Sequence, residues 1–63
     1  MKLTTDTITD GQIRELQASL FAGPADAPQL HGLVDCHDAL GRSHRAKAAR
    51  ARCAEILNAR SAK

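Results

Sequence analysis

The sequence predicts an all-α fold, a small three-helix bundle with helices over about 10-22, 27-40 and 43-61. Apolar residues recur at helical spacing through each segment, and a helix-start residue stands before each one. No stretch alternates with period two, and the β-branched residues cluster toward the N-terminus. Residues 1-63 read as a single helical domain near the lower size limit for folding without disulfides or metals, with 1-8 a flexible N-terminal tail.

The first helix opens on Ile8-Thr9-Asp10-Gly11-Gln12-Ile13. Thr9 and Gln12 have the spacing of a capping box, and Ile8 and Ile13 that of a hydrophobic staple. Asp10 puts an anion in the first turn, where the helix dipole favours it. Ile13, Leu16, Leu20 and Phe21 follow at helical spacing, and Gly23-Pro24 ends the helix. The second helix starts at Asp26, with Pro28 in its first turn and Gln29 at the capping-box position. Leu30, Leu33, Val34, His37 and Leu40 share one face, which the spacing assigns to the core, and Gly41 is the stop. Ser43 caps the third helix, whose inner stripe reads Ala46, Ala49, Cys53, Ile56 and Leu57. Its far side is Ala48, Ala51, Ala54 and Ala59, interrupted by Glu55 and Asn58, a surface that another helix can approach closely.

Charge is split by position. Residues 42 to 63 hold seven bases against Glu55 alone, and residues 1 to 41 hold six acids against Lys2 and Arg14, so the halves carry +6 and −4. On a helical wheel Arg45 and Arg52 flank one side of the apolar stripe of helix three, and Lys47 and Arg50 flank the other. Such placement suits stems lying along the core with charged heads in water. Part of this charge is expected to answer the acids of helices one and two.

His31, Cys36, His37, His44 and Cys53 invite a metal reading, but their spacing lacks the two close ligand pairs of a zinc site, so no metal is expected. Cys53 reads as a small core residue, Cys36 as bordering the core face, and His37 as a partly buried histidine with a local partner. Counted outward from Gly41, the two cysteines have an axial offset of about 10 Å along an ideal hairpin, beyond the ~7 Å between Cα atoms that a disulfide tolerates, so that geometry disfavours the bond while a strongly crossed pair permits it. No arrangement of serine, cysteine, histidine and acid marks a catalytic pocket, and no glycine-rich loop marks a phosphate cradle, so neither an enzyme nor a cofactor is expected. No apolar run nears the ~18 residues of a membrane span, and the N-terminal residues lack a signal-peptide core. A cytoplasmic protein with reduced thiols is the expectation.

Three motifs stand out together: Ile8-Thr9-Asp10-x-Gln12-Ile13-Arg14-x-Leu16, Cys36-x-x-Ala39-Leu40 and Ala49-Arg50-x-x-Cys53-Ala54-x-Ile56. They resemble small alanine-rich helical proteins of proteobacterial phages and plasmids, which typically read ITD-x-QI-x-x-L, LC-x-x-AL-x-G and AR-x-x-CA-x-x-I. The likeness covers most of residues 8 to 57 and departs in a Leu40-Gly41 connection one residue shorter and in a more basic third helix. The resemblance implies a mobile-element accessory protein that works in the cytoplasm of a bacterial host by binding and blocking a host system. An anti-CRISPR-like inhibitor is the concrete expectation, with a host protein or ribonucleoprotein complex as partner and Arg45, Lys47, Arg50 and Arg52 as contact residues. The alternative is a small helix-turn-helix-like regulator that binds DNA through the basic third helix. A homodimer is compatible with both.

Overall fold

A computed structural model describes residues 2–41 and 44–61. Within them the chain forms α1 (Asp10–Phe21), α2 (Ala27–Leu40) and α3 (Ala46–Ser61), an all-α three-helix bundle. The start of α1 follows the sequence signal. Gln12 N–H donates to Thr9 Oγ1 at 3.2 Å, and Gln12 Oε1 accepts from Thr9 N–H at 2.9 Å, which satisfies two backbone donors reciprocally. At α2, Asp26 accepts from Gln29 N–H at 2.9 Å. The Gln29 side chain does not return to its own cap. It donates instead to the Leu20 carbonyl at 2.6 Å, tying the start of α2 to the end of α1. Gly41 caps α2 in an extended conformation, its N–H shared between the carbonyls of His37 and Asp38. The Ser43 cap expected for α3 lies outside the described residues.

α2 occupies the centre, with extensive contacts to both neighbours, while α1 and α3 touch only slightly. The core comprises Ile8, Ile13, Leu16, Cys36, Ala39, Ala49, Cys53 and Ala54. Three expectations are corrected here. The buried side of α2 is Gly32, Cys36 and Ala39, rotated by nearly half a turn from the Leu30/Val34/His37 face. A helix packed on two sides needs small residues where neighbouring side chains lie against its backbone, as the Leu20 side chain does at Gly32. A Cβ on Gly32 would stand 2.8 Å from Leu20 Cδ1. Leu30 and Val34 are thereby left 57% and 58% exposed, and the His37 side chain is exposed as well.

The second correction concerns the N-terminus. Residues 1-8, read as a flexible tail, include Ile8 in the core and Leu3 packed against it. Leu3 N–H donates to Asn58 Oδ1 at 2.8 Å, and Asn58 Nδ2 donates to the Leu3 carbonyl at 2.8 Å, so this segment is docked on α3. A turn at Thr4–Thr7 directs it there, with the Ile8 N–H bonded to the Thr4 carbonyl at 3.0 Å. Third, Ala54 is buried and not part of an outer alanine surface, because it belongs to the core cluster that Ile8 completes.

Candidate functional site

On α2, His31, Val34, Asp35 and Asp38 follow the i, i+3, i+4, i+7 rule and share one side of the helix. Arg45 precedes α3, and Ala48, Ala49 and Arg52 continue the same series along it. These two stripes line an open groove of about 410 Å³ between α2 and α3. Its rims differ in sign. The α2 rim carries Asp35 and Asp38, the α3 rim carries Arg45 and Arg52, and Val34, Ala48 and Ala49 supply apolar surface between them. Arg52 Nε lies 3.4 Å from Asp35 Oδ2, with the arginine side chain largely in solvent. Leu30, one turn before Val34, continues the apolar strip along α2.

The four basic residues singled out by the sequence are not one surface. Arg45 and Arg52 line the groove together. Arg50 turns toward α1 and pairs with Asp10. Lys47 is exposed and has no ion-pair partner among the described residues. The expectation that part of the basic charge answers acids of the first two helices holds for the Arg50–Asp10 and Arg52–Asp35 pairs. Each is a partly solvated pair, of a kind that contributes little to stability. Sequence reasoning missed Leu30 and Val34 as surface residues because it placed them in the core. The acids Asp35 and Asp38 were visible but had no assigned face until α2 was oriented.

The two thiols lie elsewhere. Cys36 and Cys53 are fully buried, and their sulfurs approach to 4.0 Å across the α2–α3 interface. This overturns the expected separation of about 10 Å. The reason is the later start of α3: Cys36 lies four residues before the end of α2 and Cys53 seven after the start of α3, which leaves an axial offset of only about 4.5 Å. Burial, followed by the neighbouring Cys36 sulfur, pushes the Cys53 thiol up to about 12. Burial also raises Cys36, against the opposing hydrogen bond from Cys53. Both are therefore held as neutral thiols at ordinary pH. Among the described residues, no group of three or more histidine, cysteine or acidic side chains converges to hold a metal ion.

A second cleft of about 310 Å³ sits where the α1–α2 turn meets the C-terminal part of α3, lined mainly by apolar atoms of Leu20, Pro28, Gly32 and Ile56. Arg60 at its edge donates to Ser19 Oγ at 2.9 Å. No helix among the described residues is long and apolar enough to cross a membrane. No protein-family model, curated protein or solved structure matches the chain.

Proposed function

We propose that this chain acts by protein–protein binding, with the α2–α3 groove as the contact surface for a helix of a host protein or ribonucleoprotein complex. The observation that carries the reading is the pair of oppositely charged rims over a small-residue floor, continued by exposed Leu30 and Val34. Alanines at 48 and 49 permit close approach of a partner backbone, as small residues do wherever helices pack tightly. An amphipathic helix with an apolar strip, acids toward Arg45 and Arg52 and bases toward Asp35 and Asp38, has the matching chemistry. The resemblance to phage and plasmid accessory proteins gives this binding a purpose, namely inhibition of a host defence system in the bacterial cytoplasm, as anti-CRISPR proteins do.

DNA binding by the α2–turn–α3 unit is the weaker reading. Asp35 and Asp38 share the groove with Arg45 and Arg52 and would repel phosphates there, while Arg50 is already paired with Asp10. α3 also has no aromatic residue for base stacking and few amide or hydroxyl side chains for base edges.

The test is capture of a target from host lysate by the tagged chain, before and after nuclease treatment, beside Val34→Asp and Lys47→Glu variants. Nuclease-resistant capture that Val34→Asp abolishes and Lys47→Glu preserves is the expected result. Capture lost to nuclease, or steeply salt-dependent retention of one duplex sequence by the purified chain, replaces the reading with the DNA-binding one.

A further inference from the structure

α2 and α3 meet across the core through the two cysteines alone as sulfur-bearing groups, with 4.0 Å between Cys36 Sγ and Cys53 Sγ. Both side chains are fully buried, and the two sulfurs face each other. The two residues stand on different helices, so a bond between them closes a loop that includes the whole α2–α3 connection. A disulfide requires the sulfurs to close from 4.0 Å to about 2.05 Å, a movement of about 2 Å.

We propose that Cys36 and Cys53 form a site of oxidative modification, in which a peroxide converts the facing thiols into an internal α2–α3 disulfide. In the proposed step Cys36 is the attacking sulfur; both thiols are neutral while buried, so it ionises only when the α2–α3 interface opens to water. Its thiolate attacks one oxygen of the peroxide. An S–O bond forms, the O–O bond breaks, and the departing hydroxide takes up the proton that Cys36 released, leaving Cys36 as a sulfenic acid and one water. The Cys53 sulfur then attacks Cys36 Sγ. The S–S bond forms, the S–O bond breaks, and the leaving hydroxide departs as a second water with the Cys53 proton. Two thiols are oxidised and one peroxide is reduced to two waters.

Full burial sets the rate, not the direction. A small uncharged peroxide reaches the pair only through a local opening of the α2–α3 interface, the most extensive helix contact in the bundle. Burial pushes Cys53 up to about 12, so it too attacks as the thiolate only while the interface is open. Once formed, the bond pins together the two helices that wall the groove, whatever occupies it. This inference is independent of the proposed target and survives if no host partner exists.

The experiment treats the full chain with hydrogen peroxide under native conditions and reads intact mass, a proteolytic map and thermal unfolding. The expected product is about 2 Da lighter, from loss of two hydrogens. It carries one peptide pair linking residues 36 and 53, and its Tm is higher by on the order of 10 °C. A Cys53→Ala variant should instead accumulate a dimedone-reactive sulfenic acid at Cys36. Three results overturn the proposal: thiols that survive in the native chain yet oxidise in urea, linkage only between separate chains, or an internal bond that lowers Tm. Because the mass and Tm readings use the unsubstituted chain, a variant that fails to fold leaves the test decisive.

Discussion

α1 and α2 are both amphipathic by sequence, yet they orient their apolar residues in opposite senses. α1 buries its large side chains, Ile13 and Leu16, at 0% and 1% exposure, and leaves Phe21 to solvent near its end. α2 buries Gly32, Cys36 and Ala39 and exposes Leu30 and Val34. The difference follows from position in the bundle. α1 packs mainly on α2 and touches α3 slightly, so it has depth for an isoleucine and a leucine. α2 is flanked on both sides, and the tip of the Leu20 side chain fills the space that a Cβ on Gly32 would take. The central helix is thin on its inner side, and of its large apolar residues Leu30 and Val34 face solvent while Leu40 packs against the core.

Truncation on the α1 side tests this contrast most severely. Leu16→Ala removes a fully buried side chain and should cost about 2–5 kcal/mol, enough to unfold much of a small domain. Urea titration followed by circular dichroism measures it, and a loss below about 1 kcal/mol would mean that α1 does not hold the core. The reverse change on α2 comes next. Ala39→Leu adds volume at a site 1% exposed and should destabilise by roughly 1–3 kcal/mol through overpacking. An unchanged or raised urea midpoint would show spare depth under α2 and undo the argument from thinness. The smallest effect belongs to the outer face of α2. Leu30→Ser with Val34→Ser should shift stability by only about 0.5 kcal/mol per site, because both side chains are already more than half exposed. A loss comparable to that of Leu16→Ala would place these residues in the core after all.

Local signals were legible where neighbours in sequence supply the physics. The Thr9–Gln12 box, the Asp26 cap and the Gly41 stop each depend on residues within one turn, and all three stand as read. The answering of basic α3 residues by acids was legible as a charge balance, although the partners, Asp10 for Arg50 and Asp35 for Arg52, were not. Of the candidate site, Arg45 and Arg52 were correctly read as one edge, but the groove beside them was hidden. Helical periodicity ranks faces by hydrophobicity, and on α2 the most hydrophobic face is the outward one. The docking of Leu3 on Asn58 spans 55 residues and had no local signature.

By itself the sequence determined that there are three helices, where the first two begin, and that part of the third helix's charge answers the acids of the other two. Each of these follows from interactions within a turn or from a simple count of charges. Only the tertiary structure decided the rotation of α2, the burial of Ala54 in the core, and the 4.0 Å meeting of Cys36 and Cys53. Those outcomes depend on how closely three backbones approach, and that distance is set by side chains on all three helices at once.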